Sequence, residues 1–214
     1  MHKPSISICP EGIVYIVFGA LATLVFALLG WAVPTVVCLI LTAFTLNFFR
    51  DPERIAPEDP NLAVSPADGK VVKIAEMADP FTGEPRMTIC VFMNVFNVHV
   101  NRMAMSGEIT GIRYHEGKFF NASLDKASQH NERNSVTFRD VEGNQWTMVQ
   151  IAGLIARRIV CWAQPGDRLN RGERFGVIKF GSRVDLYLPS GYVPVVAVGD
   201  KVFAGQTAVA KKRA

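Results

Sequence analysis

The chain has 214 residues, which is enough for one compact domain with an appendage but not for two domains of ordinary size. The net charge is only +4, and the basic residues are scattered except at Lys211, Lys212 and Arg213. No basic stretch is interleaved with aromatic residues, so the composition argues against nucleic acid and favours an anionic membrane surface as a partner. The cysteines lie far apart without metal-ligand spacing, which argues against a metal site and a disulfide framework and fits a reducing cytoplasm; they are Cys9, Cys38, Cys90 and Cys161.

The apolar pattern of residues 1–50 predicts an α-helical hairpin that associates with a membrane. Residues 12–49 contain no charged side chain, and Gly30 and Pro34 divide the run into two apolar stretches of about 18 residues, each just long enough to cross a bilayer. Lys3, Arg50 and Arg54 flank the hairpin, so both of its ends are expected on the cytoplasmic side of the cell membrane. A hairpin that dips into the bilayer without spanning it, or one buried in a protein core, fits the same pattern.

The remainder predicts a proline-rich linker over residues 51–64 and a mainly β domain over residues 65–214. Short apolar runs rich in β-branched residues alternate there with turn residues. The predicted strands cover residues 71–74, 88–93, 98–100, 146–151, 158–162, 174–180, 184–188 and 193–198. The fold class is therefore mainly β and barrel-sandwich-like, with short helical or loop insertions, behind the helical hairpin.

A weak internal repeat supports this fold class. Residues 165–172 resemble residues 198–205, since each segment has a Gly-Asp turn, a short strand and a second glycine turn. Residues 119–134 differ from the rest, because they are polar and show no β alternation. That stretch predicts a mobile loop or short helix near a site.

The usual catalytic motifs are absent, which leaves three places where chemistry could occur. The sequence has no GxSxG, HExxH, GxGxxG or P-loop pattern. His99 lies on a strand-like run with Asn97 and Asn101 on the same face, where a solvated face and a pocket are both consistent. Asp68 precedes a glycine, a position where aspartate is usually a turn former.

The third place is the Gly181–Ser182 pair between two predicted strands. Glycine has no side chain to hinder attack on its carbonyl, so the Ser182 hydroxyl can attack the Gly181 carbonyl to give an ester. Elimination from that ester leaves a pyruvoyl group on the downstream piece. Taken alone, however, Gly-Ser is also an ordinary turn pair.

Four motifs occur in the β-rich part of the chain: SPADG at residues 65–69, FNVHVNR at 96–102, NERN at 131–134 and RFGVIKFGS at 174–182. In order and spacing they resemble the short form of the phosphatidylserine decarboxylase family, whose members are pyruvoyl enzymes made as proenzymes. The resemblance implies cleavage after Gly181 into a large chain of residues 1–181 and a small chain of residues 182–214, with Ser182 becoming the pyruvoyl group. It also implies that Asp68 orients a histidine that activates the serine.

The match departs from the long form of the family at two places. Long-form members carry two histidines three residues apart, but Arg102 stands where the second would fall, so His99 is expected to serve both cleavage and decarboxylation. Arg183 follows the reacting pair where the long form has threonine. These departures put the long form's Asp-His-Ser arrangement in doubt here.

The resemblance implies decarboxylation of phosphatidylserine to phosphatidylethanolamine through a Schiff base with the pyruvoyl group, without a metal or an external cofactor. His99 is the expected proton donor and His115 the second choice, because imidazole titrates near neutral pH. Charge and placement suggest Arg102, Arg133 and Asn121 as substrate contacts, although each also fits a solvated surface. The implied partners are phosphatidylserine, anionic lipids and the second of the two chains, and self-association stays open.

Three other functions are consistent with part of the pattern. One is a pyruvoyl decarboxylase of a soluble amino acid, which the apolar hairpin argues against. Another is a lipoyl- or biotinyl-type carrier modified at Lys126, although that lysine lies outside any strand pattern. The last is a non-enzymatic membrane anchor with a β domain.

Overall fold

The computed structural model describes residues 8–118, 122, 131–153, 158–179 and 181–213. The chain divides into two compact units, Met1–Glu53 and Arg54–Ala214. The first contains both helices and the second contains all the strands that the structure describes. The predicted fold class, a mainly β body behind a helical hairpin, is confirmed.

The first unit is an antiparallel pair of apolar helices, α1 (Pro10–Leu28) and α2 (Ala32–Phe48). Proline at the first position of α1 fits a helix start, because its missing N–H would have had no partner there. The ends of the pair are joined by a hydrogen bond from the Cys9 N–H to the Phe49 carbonyl, 2.7 Å long. By length and composition α1, with a mean hydropathy of 2.1, can cross a membrane, whereas α2 is shorter.

The second unit is built from short strands. They are β1 (Leu62–Val64), β2 (Gly69–Ala78), β3 (Pro85–Met93), β4 (Val100–Arg102), β5 (Gly107–His115), β6 (Arg133–Asp140), β7 (Gln145–Ala152), β8 (Ile159–Cys161), β9 (Arg168–Leu169), β10 (Arg174–Ile178), β11 (Ser182–Tyr187), β12 (Tyr192–Pro194), β13 (Lys201–Val202) and β14 (Ala208–Lys212). The predicted strands do not include β1, β5, β6 or β14, and β1 lies within the predicted linker. Because Asn134 lies in β6, the predicted irregular stretch was wrong at its end, and the rest of that stretch lies mostly outside the described residues.

The strands form one eight-stranded sheet and two three-stranded sheets. The large sheet has the order β13-β2-β3-β11-β7-β6-β5-β9, and the small sheets have the orders β1-β14-β12 and β4-β10-β8. Apolar side chains from all three sheets, Trp146, Phe138 and Phe175 among them, form a common core. The central strand β11 pairs with β3 on one side and β7 on the other, so its first residue has neighbours on both sides.

The sheet orders reveal an internal two-fold duplication. We call β1–β3 with β11–β14 half A, and β4–β10 half B. Each half contributes four strands to the large sheet in mirrored order and one small sheet. The backbone hydrogen bonds repeat as well, since Val71 bonds to the Asp200 carbonyl in half A as Ile109 bonds to the Asp167 carbonyl in half B, both at 2.9 Å.

The repeat that the sequence predicted is part of this duplication. Residues 165–172 and 198–205 carry equivalent turns, in which Asp167 accepts the Gln164 N–H and Asp200 accepts the Ala197 N–H. The halves differ in how the two innermost strands that each contributes to the large sheet are connected along the chain. In half B a tight turn joins β6 to β7, whereas in half A the equivalent strands β3 and β11 come from distant parts of the chain.

Candidate active site

The Gly181–Ser182 pair lies at the start of β11. Ser182 is fully buried and pairs with Met93 of β3 and Ala152 of β7. Gly181 has a φ of +63°, in the left-handed region that other residues rarely adopt. A β-carbon added to Gly181 would meet nothing within 4 Å, so open space lies beside the peptide bond on that side.

His99 faces this bond and is held by backbone groups. The ring is almost fully buried, and its Nδ1 lies 2.9 Å from the carbonyl oxygen of Asn97. Because a carbonyl only accepts hydrogen bonds, Nδ1 carries the proton of the neutral ring and Nε2 carries the lone pair. The Gly181 N–H donates to Nε2 over 3.2 Å. The basic Nε2 of His99 therefore contacts the residue that directly precedes Ser182.

The turn before His99 is fixed by two asparagines. The Asn94 N–H donates to the Asn97 side chain, and the Asn97 N–H donates back to the Asn94 carbonyl, over 2.9 and 3.0 Å. The carbonyl of His99 accepts a hydrogen bond from Ile178 of β10 over 3.3 Å. These contacts position the imidazole from both sides.

The Ser182 hydroxyl has a weak partner. Its Oγ lies 3.9 Å from the thioether sulfur of Met93, which is a poor hydrogen-bond acceptor. The hydroxyl is thus buried but loosely bound, as a nucleophile that must transfer its proton needs to be.

Gly153 touches the carbonyl that Ser182 would attack, which sequence reasoning missed. A β-carbon on Gly153 would lie 2.1 Å from the Gly181 carbonyl oxygen and 3.0 Å from its carbon. Real β-carbons do not approach so closely, so the carbonyl can rest against residue 153 only because that residue is glycine. No local motif in the sequence indicates this contact.

The opposite face of β11 carries a buried ion pair, because successive side chains of a strand point to opposite faces. Arg183 binds Asp185 through two hydrogen bonds of 2.5 and 2.8 Å, and a third of 3.1 Å reaches the Cys90 sulfur. Burial and then the charge of Asp185 raise the pKa of Cys90 well above its ordinary value. Burial lowers the pKa of Arg183, but the charge of Asp185, its hydrogen bonds and the contact with Cys90 together raise that pKa above its ordinary value. The pair holds the residue next to Ser182 in the sheet.

The Asp68 carboxylate contacts Ala204 of half A and Arg54, which precedes β1. It accepts the Ala204 N–H over 2.7 Å and pairs with Arg54 over 3.0 Å. In half B the equivalent contact is made by Ser106, whose hydroxyl accepts the Arg171 N–H over 2.9 Å. The contact with Ala204 therefore belongs to the duplicated fold, and a role for Asp68 in orienting the histidine stays a prediction.

The other predicted site residues lie in different places. His115 ends β5, which is separated from β11 by β6 and β7. Arg102 is buried and donates to the Gly172 carbonyl over 2.9 Å, and Arg133 donates to the Asn131 carbonyl over 3.4 Å. Asn121 and Lys126 lie outside the described residues. The structure thus brings His99, Gly181 and Ser182 together.

Comparison with known proteins identifies the family of this chain. The family model of phosphatidylserine decarboxylase matches residues 41–210. A phosphatidylserine decarboxylase proenzyme of Nitratidesulfovibrio vulgaris is 61% identical over 99% of this chain and 98% of its own length. The proenzyme of Solidesulfovibrio magneticus is 59% identical over 99% of both chains, and that of Polynucleobacter asymbioticus 49% identical over 99% of this chain and 98% of its own. The chain therefore belongs to the phosphatidylserine decarboxylase family of enzymes.

Proposed function

We propose that this enzyme decarboxylates phosphatidylserine to phosphatidylethanolamine, using a pyruvoyl group that it makes from Ser182 by cutting its own chain after Gly181. The observation that carries the proposal is the contact of His99 Nε2 with the Gly181 N–H, at 3.2 Å, beside a buried serine. Membership of the family and the proenzyme names of the relatives support it.

The cut begins with attack of the Ser182 Oγ on the Gly181 carbonyl carbon. His99 Nε2 takes the hydroxyl proton and delivers it to the nitrogen of Ser182 as the peptide bond breaks. The product is an ester between the Gly181 carbonyl and the Ser182 side chain, with a free amine on Ser182. No atom is gained or lost in this step.

Elimination then separates the two chains. A base removes the α-proton of Ser182, the bond between Cβ and Oγ breaks, and Gly181 keeps Oγ in its new carboxylate. The unsaturated residue left at position 182 takes up water and releases ammonia, which yields the pyruvoyl group. His99, which contacts the Gly181 N–H, is the proposed base.

The surroundings of residue 182 fit such a group. The position is buried beside the soft Met93 sulfur, which tolerates a methyl group as well as a hydroxyl, and space lies open next to Gly181. The ketone of that group would supply an electron sink for the bond to the departing CO2, through the Schiff base with the substrate amine that the family resemblance implies. His99 then returns a proton to the substrate carbon, with His115 as the alternative donor.

The two chains would remain together after the cut. Ser182 and the five residues after it in β11 pair with both β3 and β7, which belong to the large chain. The product is then a heterodimer of residues 1–181 and 182–214, made of the hairpin (1–50), the linker (51–64) and the divided catalytic domain (65–214).

The substrate places the enzyme at a membrane. The apolar α1 and α2 would hold it at the cell membrane, and the basic residues that flank them favour the cytoplasmic side for the catalytic domain. Arg102, Arg133 and Asn121 are the proposed contacts for the phosphate and carboxylate of the head group. Anionic lipids around the substrate suit the net charge of +4.

Release of CO2 from defined lipid vesicles tests the proposed reaction. Purified protein is incubated with vesicles of phosphatidylserine and phosphatidylcholine that carry a labelled serine carboxylate, and with free serine or aspartate in parallel. We expect labelled CO2 and phosphatidylethanolamine from the vesicles alone. Turnover of a free amino acid without turnover of lipid would replace this function with a soluble-substrate decarboxylase, and Ser182→Ala protein serves as the inactive control.

A further inference from the structure

A chain of buried amides runs through half B toward the reacting serine. The Asn134 side-chain amide donates to the side-chain oxygen Oε1 of Gln150 over 3.0 Å, and Nε2 of Gln150 donates to the side-chain oxygen Oδ1 of Asn101 over 2.9 Å. Asn101 in turn donates to the Met93 sulfur over 3.8 Å, the same atom that the Ser182 hydroxyl contacts. All the links point one way, so the chain ends at the reaction centre.

This chain is costly for a protein core. Asn101 and Gln150 are fully buried and Asn134 nearly so, and a buried amide group that loses a partner is destabilising. The last donor meets only a thioether sulfur, a weak acceptor. Stability alone favours apolar side chains at such places.

Half A fills the same three places with apolar residues. Ala63 pairs with Ala210 as Asn101 pairs with Gly176, which makes Ala63 the counterpart of Asn101. Leu188 and Met87 are joined by a backbone hydrogen bond at the place where Gln150 faces Asn134. Ala63 and Leu188 lie in the common hydrophobic core, and the partly buried Met87 packs against it. The fold therefore does not require amides at these positions.

Half B also makes room for the chain. Gly176 stands where half A has Ala210, and a β-carbon on Gly176 would lie 2.4 Å from the Val160 carbonyl oxygen and 2.9 Å from the Gln150 amide nitrogen. The glycine thus admits both the neighbouring strand and the middle amide of the chain. Half B thus combines the three amides with a glycine at position 176.

We propose that Asn134, Gln150 and Asn101 are positioning residues for self-cleavage. The polarised chain holds the Met93 sulfur against Ser182, and this contact fixes the rotamer of the hydroxyl without binding its proton tightly. The inference rests on the proposed cut after Gly181, because the positioned group is its nucleophile.

Transplanting the residues of half A into half B tests this role. The triple variant Asn101→Ala, Gln150→Leu, Asn134→Met replaces every amide of the chain at once, so no partner is left unpaired, and such exchanges are close to neutral or stabilising. The matched control is Ser135→Ala with Thr147→Val, which removes two buried hydroxyls of β6 and β7 that have no partner among the described residues. Each protein is made in a cell-free reaction with a pulse of labelled methionine, and conversion of the full-length chain into the large fragment, which carries all the methionines of the natural sequence, is followed on a gel.

We expect the triple variant to melt at or above the wild-type temperature and to be cut at least about tenfold more slowly, since a misplaced nucleophile loses rate. The control should be cut at the wild-type rate. A triple variant that is cut as fast as wild type, or one whose melting temperature falls in step with its rate, overturns the inference while the proposed function stands. A wild-type chain that stays whole overturns both.

Discussion

Halves A and B each place a glycine with a positive φ before corresponding strands, but only half A carries a bond that we propose is cut. In half B, Gly143 has a φ of +88° and Asn144 follows it into β7. In half A, Gly181 has a φ of +63° and Ser182 follows it into β11. The unusual backbone is therefore a property of the duplicated fold, and the chemistry must come from what surrounds it.

The surroundings differ in two groups. The carbonyl of His99 accepts a hydrogen bond from Ile178 over 3.3 Å, and in half A the carbonyl of Asn61 accepts the equivalent bond from Lys212 over 3.1 Å. Asn61 is thus the counterpart of His99, and it cannot act as a base. At the turn of half B, Asn144 stands in place of Ser182 and Asn61 in place of His99. That turn therefore has neither a nucleophile nor a base.

Removing the nucleophile should have the largest effect on chain cleavage. Ser182→Ala is expected to give a folded, full-length protein without detectable fragments, because no other group can form the ester. Asn144→Ala changes the equivalent position of half B and should leave the cut at its normal rate. Fragments from the Ser182→Ala protein, seen by intact-mass analysis, would rule out the scheme.

Replacing the base with its counterpart should come next. His99→Asn installs the side chain that half A has at position 61, and the rate of chain cleavage should fall about 10²- to 10⁴-fold, the usual contribution of a general base. Chains that have already matured should also lose decarboxylation. His115→Asn changes a residue of β5, which β6 and β7 separate from β11, and should leave the rate of chain cleavage unchanged. Full decarboxylation by matured His99→Asn protein would move the donor role to His115 or to water.

Crowding the attacked carbonyl should have a smaller effect. Gly153→Ala forces the Gly181 carbonyl away from its position, and a shift of about 1 Å costs roughly 10²-fold in rate. Gly107→Ala is the matched control in half B, since its β-carbon would lie 2.5 Å from the Arg139 carbonyl oxygen, away from the site. If both variants are cut equally slowly in a time course, the contact at Gly153 has no special role.

Breaking the ion pair behind Ser182 should change stability more than chemistry. Asp185→Asn leaves the Arg183 guanidinium buried without a charged partner, which should lower the free energy of unfolding by about 3–5 kcal/mol. Denaturant unfolding of Ser182→Ala protein, with and without the change, measures the loss on an uncut chain. The double variant Arg183→Met, Asp185→Leu should recover most of it, and equal losses in the single and double variants would contradict a buried pair.

The sequence predicted the parts of the fold that local patterns encode. The apolar hairpin and the Val- and Ile-rich strands were found, whereas β5 and β6 were missed. β5 contains Gly107 and Gly111 among charged residues, a pattern that is typical of a loop. Its strand conformation depends on pairing with the neighbouring strands of the sheet. The repeated Gly-Asp turns indicated the duplication, but its extent follows only from the pairing.

The candidate site was predictable where a motif carried it. Ser182, Gly181 and His99 came from the family resemblance, and the structure brings them together. Gly153 and the amides that lead to Met93 were missed, because each matters through a contact between segments far apart in the chain. Asp68 shows the opposite case, since its motif is conspicuous but its contact with Ala204 is one that Ser106 repeats in half B.

Intact-mass spectrometry of the purified protein, with and without phenylhydrazine, tests the central claim most directly. We expect two chains, residues 1–181 and 182–214, of which the smaller has a blocked N-terminus and gains the mass of one hydrazone. A single mass of 23.6 kDa that phenylhydrazine leaves unchanged would contradict the self-made pyruvoyl group, and with it the proposed mechanism of decarboxylation.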